Sequence, residues 1–466
     1  MTVRVLVIGD VLLDRDINGD VRRICPDAPA PVVEVGTVSE RAGGAGLAAT
    51  LLARDGIDVH LVTAFAEDEP AKRLEALLTE KVTVVPALTA SGTRCKTRVR
   101  SAGQSLLRLD TDPPADAPGV LTDWDQQAVL DELELADAVL VSDYAGGVLD
   151  HEGLRNVLRR WASQRAMVWD PHPRGIGPVP GVTLATPNRA EAMHFAEAGP
   201  KDPLDLVATE LCARWEAWAV AVTDGGNGVF TAAGGGPPLF TPTPVRYQGD
   251  CCGAGDRFAG TAAARLGAGA TARDAVAEAV EDTASWLTAG GVAGGSSSGT
   301  SSSATPSGGS SSGGADAVDV VRRVRAGGGT VVATGGCFDV LHAGHIASLE
   351  AARQLGDALV VLVNSDESVR RLKGDSRPVN SIEDRCRLLR SLRCVDAVEV
   401  FEENAPTAAL DRLRPDIWAK GGDYTVEMLP ETPLVTGWGG RVVLLPYLPG
   451  RSTTAVLDHS YGKDYR

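Results

Sequence analysis

The sequence predicts an α/β protein of two modules, each a mainly parallel sheet covered by helices, with a β lid on the first. Three observations carry this reading. Apolar runs of strand length alternate with helical stretches on both sides of a Gly/Ser-rich break, which is the pattern of strand–helix–strand units. At 466 residues the chain exceeds what one hydrophobic core usually fills. Glycine-rich turns stand directly after several apolar runs, where open parallel sheets gather their ligands.

In the first module the runs at 3–9, 32–36, 58–64, 137–142, 166–170 and 217–223 read as strands, and 44–54, 150–162, 203–214, 255–266 and 272–288 as helices. Segments 94–100 and 105–110, joined by Ser101-Ala102-Gly103-Gln104, read instead as a hairpin carrying Lys96, Arg98 and Arg108. Such a hairpin can lie across a site as a lid. Between 290 and 314, 19 of 25 positions are Gly or Ser. That composition cannot offset the entropy of ordering, so it predicts a flexible tether spanning roughly 25 to 30 Å. Beyond it, strands at 330–334, 358–363, 395–400, 416–419 and 441–445 alternate with helices near 345–355, 381–392 and 405–413. Five strands with intervening helices make a compact Rossmann-like sheet. The expected domains are therefore 1–289 and 315–466, with 290–314 between them.

Composition narrows the function. No stretch approaches the roughly 18 apolar residues of a membrane helix, and the first ten residues read as a buried strand without the basic head of a signal peptide. A cytoplasmic protein is expected. The net charge of −16 disfavours a basic nucleic-acid face. The eight cysteines form no C-x-x-C pair and read as reduced core residues. Lysine is scarce, so its placement at positions 96, 373 and 420, all near motifs, is informative.

In the first module the sharpest motif is Asp250-Cys251-Cys252-Gly253-Ala254-Gly255-Asp256, opening a helix. Glycines at a helix start let amides approach an anion, and the helix dipole adds positive potential. Asp256 is placed to accept a proton from an attacking hydroxyl while Gly253, Ala254 and Gly255 cradle phosphate. The same dipole predicts that Asp256 stays ionised at neutral pH. A plain capping carboxylate is the alternative. Further segments follow strands in the same way. Asp14 after the first strand and Asp143 in Ser142-Asp143-Tyr144 are candidates for sugar hydroxyls, and Gly43-Gly44 precedes a helix. Asn188-Arg189-Ala190-Glu191 opens a helix, with a capping segment as its alternative, and Thr223-Asp224-Gly225 closes a strand where a nucleotide can enter.

In this order, residues 1 to 290 resemble the ribokinase-like sugar kinases, also called PfkB kinases, with Gly253-Ala254-Gly255-Asp256 as the signature. The resemblance implies a ribokinase-like fold and ATP-dependent phosphorylation of a sugar hydroxyl. It makes Asp256 the catalytic base and places Asn188, Arg189, Ala190, Glu191, Thr223 and Gly225 around ATP. Magnesium is then carried largely by phosphates and water, with no dedicated protein metal site.

In the second module Gly336-Cys337-Phe338-Asp339 leads into His342-Ala343-Gly344-His345 at a helix start. Two imidazoles three residues apart share a helical face and can donate to phosphates as charge builds on an attacked α-phosphorus. A metal pair is the alternative, lacking a third ligand nearby. This H-x-G-H motif resembles that of the cytidylyltransferase-like nucleotidyltransferases. Lys373, Arg377 and Lys420 then fall where they can neutralise triphosphate, Ser452, Thr453 and Thr454 offer hydroxyls and amides to it, and Cys337, Phe338 and Asp339 lie along the motif.

The pairing of the two resembles the bifunctional heptose 7-phosphate kinase and heptose 1-phosphate adenylyltransferase family, over nearly the whole chain except the tether. That resemblance implies ATP as co-substrate in both halves, sugar phosphates as substrates, a separate phosphatase between the two steps and a homodimer through the kinase lid. Lys96 and Arg98 become the expected clamp for the substrate's own phosphate. Leu47 stands where related kinases usually carry Asn, Cys251 and Cys252 where Thr or Val is commoner, and Gly335 where Asn is usual. Two alternatives remain: the same chemistries on another sugar phosphate or nucleotide, or a regulatory nucleotide-binding protein with one decayed module.

Overall fold

The computed structural model describes residues 2–113, 120–247, 249–293, 316–421 and 429–446. Contacts divide the chain into two compact units, Met1–Gly226 with Thr243–Ser298, and Asn227–Pro242 with Gly299–Arg466.

The first unit runs β1 (Arg4–Gly9), β2 (Val11–Ile24), β3 (Pro31–Gly44), α1 (Ala45–Arg54), β4 (Asp58–Phe65), α2 (Glu69–Thr79), β5 (Thr83–Ala90), β6 (Cys95–Ser101), β7 (Gln104–Thr111), β8 (Val120–Trp124), α3 (Gln126–Leu135), β9 (Ala138–Ser142), α4 (Glu152–Trp161), β10 (Ala166–Asp170), β11 (Leu184–Ala185), α5 (Arg189–Ala196), α6 (Leu204–Arg214), β12 (Ala219–Thr223), α7 (Ala254–Gly267) and α8 (Ala272–Thr288). Its main sheet has the order β12-β11-β10-β9-β1-β4-β5-β8. The β1, β4, β5, β9, β10 and β11 pairings are parallel, and β8 is an antiparallel edge against β5. Strands covered on both faces must be apolar along their whole length. Val5, Leu6, Val7 and Ile8 of β1 are accordingly all buried.

The lid is a separate four-stranded sheet of order β3-β2-β6-β7. It is larger than the hairpin read from the sequence, because β2 and β3 each run for 14 residues. The hairpin turn is also tighter. Ser101 and Gln104 already pair as strand residues, leaving Ala102 (φ 48) and Gly103 (φ 78) to make a two-residue turn. Positive φ at both central positions matches the right-handed twist of the flanking strands.

The second unit holds β13 (Gly228–Ala233), β14 (Leu239–Pro242), α9 (Ala317–Ala326), β15 (Val331–Gly336), α10 (Ala343–Gln354), β16 (Ala358–Asn364), α11 (Asp366–Lys373), α12 (Ile382–Arg390), β17 (Ala397–Phe401), α13 (Thr407–Leu413), β18 (Ile417–Gly421), α14 (Thr432–Gly437) and β19 (Arg441–Leu445). Strands β17, β16, β15, β18 and β19 form the expected five-stranded parallel core. The seven residues of β16 are all buried, so their β-branched run packs against helices on both faces.

Candidate active sites

In the first unit the strand tips bring acidic side chains to the start of α7. Gly253 caps that helix in the left-handed conformation (φ 81), and a β-carbon there would sit 3.1 Å from both Leu47 and Val292. Leu47 thus fills space beneath the glycine turn, where an amide was expected from the family pattern. A β-carbon at Gly255 would meet nothing within 4 Å, so the turn faces open space.

Asp256 is the third residue of α7, 5% exposed. It accepts a 2.9 Å hydrogen bond from the Tyr144 hydroxyl. Burial pushes its carboxyl up to about 7, against the opposing pull of the Tyr144 hydrogen bond. The expectation of a fully ionised Asp256 is therefore corrected: loss of water outweighs the helix dipole. The neighbouring carboxyls share the effect. Burial raises Asp143 to about 7, although the Ala145 amide donates to it at 2.8 Å. Burial, then the charges of Glu191 and Asp256, hold Asp170 well above the usual carboxylate range.

Asp14, on β2, is buried and pairs with Arg98 Nη1 at 2.8 Å. A β-carbon at Gly43 would lie 2.8 Å from Asp14 Oδ2 and 2.4 Å from Leu12 Cδ1, and one at Gly44 (φ 63) 2.4 Å from the Asp10 carbonyl. Gly44 is required by its positive φ and by the backbone it meets, whereas a side chain at Gly43 would press on the ends of Leu12 and Asp14. Lys96 stands opposite Asp14 in the β2–β6 register and holds Nζ 5.3 Å over the Tyr144 ring. Burial lowers its ammonium, and the Asp14 charge opposes that. Cys252 Sγ lies 4.0 Å from Arg98, while Cys251 is exposed.

Asn188, Arg189, Ala190, Thr223 and Gly225 come together around one cavity of about 520 Å³. Three of them, Asn188, Arg189 and Thr223, also have local partners. Asn188 and Glu191 form a reciprocal capping box on α5, Arg189 makes a bidentate pair with Asp224 at 2.6 and 2.9 Å, and Asn188 and Thr223 are bridged in parallel. The capping alternative is thus present at Asn188, which also lines the cavity, while its partner Glu191 is not among the lining residues.

In the second unit His342 is the N-cap of α10, outside the helix, and His345 is the third residue within it. Their rings stack with centroids 3.9 Å apart and planes at 30°. The two imidazoles thus share one side of the helix start, with His342 contributing from the cap instead of from within the helix. Burial, then the His342 and Lys373 charges, lower His345 to about 4. Phe338, at φ 47, places its ring 5.4 Å from His345. Asp339 is buried and accepts from Arg377 Nη1 (2.8 Å), the Val379 amide (2.7 Å) and the Asn380 amide (3.1 Å). Asp339 and Arg377 therefore meet each other, and together they fasten the 377–380 segment to the motif loop. Cys337 Sγ is 3.7 Å from Asn364 Oδ1. Lys420 lies 5.1 Å over the Trp418 ring, its ammonium lowered by burial and raised in part by Glu431. Lys373 ends α11 on the surface. Ser452, Thr453 and Thr454 lie outside the described residues.

Sequence reasoning missed Asp10, Tyr144 and Arg385. Asp10 is buried and accepts from the amides of Tyr144, Gly146 and Val148 at 2.9 to 3.1 Å, closing the turn that carries Asp143. Arg385 is fully buried and donates to the carbonyls of Cys337, Asn364 and Asn380 and to Asp366. Position gave a signal for Asp10, which directly follows β1, and for Tyr144, which follows Ser142-Asp143 at the end of β9. Among the described residues no group of three or more His, Cys, Asp or Glu side chains is arranged to hold a metal ion, and no helix is long and apolar enough to cross a membrane.

A buried carboxylate stands at a glycine-opened helix of the first unit, and stacked imidazoles stand at a helix start of the second. Residues 3–295 match the pfkB family of carbohydrate kinases and 333–441 the cytidylyltransferase-like family. The bifunctional protein HldE of Streptomyces coelicolor is 47% identical over 457 residues, covering 97% of this chain and 95% of that protein. That of Alcanivorax borkumensis is 37% identical over 475 residues, covering 99% and 98%. A ribokinase structure from Thermotoga maritima aligns at 20% identity and TM-score 0.48, over 61% of this chain and 92% of its own. The chain belongs to the bifunctional HldE family and is a bifunctional enzyme, a carbohydrate kinase joined to a nucleotidyltransferase.

Proposed function

We propose that the kinase half, 1–289, moves the γ-phosphoryl group of ATP to O1 of D-glycero-β-D-manno-heptose 7-phosphate. The half at 315–466, beyond the 290–314 tether, joins heptose 1-phosphate to AMP from ATP and releases pyrophosphate. The observation that carries this is Asp256, buried at the glycine-lined start of α7 beside the Asp14–Arg98 pair.

In the first reaction Asp256 takes the proton of the O1 hydroxyl as that oxygen attacks the γ-phosphorus, and ADP leaves. A base that titrates near 7 is well matched to a hydroxyl at neutral pH. The Gly253, Ala254 and Gly255 turn holds the phosphate oxygens, Asn188, Arg189, Thr223 and Gly225 the nucleotide, and Asp14 and Asp143 the sugar. Lys96 faces the substrate's own phosphate. Arg98, whose guanidinium is bound to Asp14, holds that carboxylate toward the sugar.

In the second reaction a heptose 1-phosphate oxygen attacks the α-phosphorus. His342 and His345 donate to the phosphate oxygens as charge builds there, with Lys420 and Lys373 neutralising the triphosphate. Magnesium accompanying ATP would supply charge screening at the phosphates in both halves.

A separate phosphatase removes the 7-phosphate between the two steps, so the intermediate leaves the enzyme. The lid sheet supports a homodimer: Val35, Val38, Leu107 and Leu109 are apolar and about half exposed on it, and a face of that kind is a contact surface. The working compartment is the cytoplasm.

Mass analysis of products from heptose 7-phosphate and ATP, with and without the phosphatase, tests the reading. A heptose bisphosphate alone, and ADP-heptose when the phosphatase is added, is expected. Clear preference for a pentose or hexose phosphate would reassign the substrate.

A further inference from the structure

We propose that Tyr144 is a positioning residue of the kinase half, whose phenol holds and orients the Asp256 carboxylate while Lys96, lying over the same ring, assists from its face. This rests on the reading of Asp256 as the base.

Every part of Tyr144 is fixed. Its amide donates to Asp10 at 3.1 Å, its carbonyl accepts from Arg94 Nη1 at 2.6 Å, Lys96 Nζ stands 5.3 Å over the ring, and the His172 ring centre is 6.4 Å away. What remains is the hydroxyl, and it points at Asp256 Oδ1, 2.9 Å away. A buried base held by a rigid, anchored donor keeps one oxygen occupied and presents the other. Burial and the Asp256 charge both favour the neutral phenol, so the proton stays on Tyr144 and the bond is donated.

The surroundings of Asp256 set the balance. Asp14 on β2 favours the protonated acid and Lys96 on β6 the carboxylate, with the phenol on the carboxylate's side. Asp170, at the end of β10, and Cys252, before α7, also face the pair. A phenol donating to a carboxylate stabilises the charged form. Without it, Asp256 holds its proton to higher pH and is less often a base at neutrality.

The test is the pH profile of kinase kcat for full-length Tyr144→Phe, with both substrates saturating. The acid limb is expected to move up by about one unit, with activity near neutrality falling several-fold and recovering toward pH 9. Placing 3-fluorotyrosine at position 144 keeps the shape while strengthening the donor, and moves the limb down. This second protein also decides the matter if Tyr144→Phe folds poorly. Equal loss at every pH in Tyr144→Phe, or a limb that stays fixed with fluorotyrosine, overturns the proposal. Asp256→Asn run alongside separates the two readings: activity surviving in it sinks the base itself, whereas a dead Asp256→Asn with an unmoved Tyr144→Phe profile sinks only the role of Tyr144.

Discussion

The Arg98 guanidinium donates to Asp14 at 2.8 Å across the β2–β6 register, with both side chains largely buried. A cation expected to hold phosphate and a carboxylate expected to hold sugar are thus one unit, which Arg41 approaches at 3.6 Å from β3. Arg98→Met leaves Asp14 buried with its weaker partner alone. Removing one member of a buried pair is strongly destabilising, and the remaining Arg41 reduces the expected loss to about 2 kcal/mol in urea unfolding. The sugar phosphate KM is expected to rise at least tenfold with the ATP KM unchanged. An unaltered sugar KM would contradict the assignment.

The stacked imidazoles give the second half its own pH signature. His345 titrates near 4 in the folded protein against an ordinary 6.5, so between those values the unfolded chain binds more protons. Stability is therefore present above about 6.5 and is lost as pH falls through 4. His345→Asn should flatten that decline, measured as melting temperature of the full chain from pH 7 to 4. In the same protein nucleotidyl transfer is expected to drop about 10²- to 10³-fold, as for loss of a charge-stabilising donor, with kinase turnover unchanged.

Arg385 holds the loop after β15 to the tip of β16, with hydrogen bonds of 2.6 to 3.2 Å to four acceptors. Arg385→Ala strands those acceptors and the Asp366 charge, at a cost of about 3 to 5 kcal/mol. The unfolding midpoint of the second half is expected to fall well below that of the first. Loss of nucleotidyl transfer without loss of stability would instead place Arg385 in contact with substrate.

Gly335 is explained by its neighbour. A β-carbon there would lie 2.7 Å from Trp418 Cη2, and Trp418 is fully buried. Gly335→Ala overpacks this spot and is expected to cost about 1 to 3 kcal/mol. Combined with Trp418→Leu, the two losses should be less than additive, because the smaller side chain makes the room. Strict additivity by denaturant unfolding would show that the contact is not limiting.

Much of this was legible because apolar runs covered on both faces announce themselves: β1, β9, β16 and β19 fall within two residues of their expected bounds. Strand β2 was hidden because charges interrupt it, as in Asp14-Arg15-Asp16, and of β3 only 32–36 reads as a strand; beyond Leu12 and Leu13 the two take their place mainly from pairing with each other and with β6. Helix α2 carries a local signal as well, Asp68 capping Ala71 with Pro70 in the first turn. At the candidate sites, motif spacing singled out Asp256, His342 and His345 as candidates. It could not show that Arg98 is spent on Asp14, or that burial lifts Asp256 to about 7, since both depend on neighbours distant in sequence.

The most direct test of two independent chemistries on one chain is to follow both in a single variant, Asp256→Asn, by phosphorus NMR. With heptose 7-phosphate and ATP no bisphosphate is expected, while heptose 1-phosphate and ATP give ADP-heptose and pyrophosphate at the parent rate. Bisphosphate formation in the variant, or failure of both reactions in a folded protein, would contradict the account.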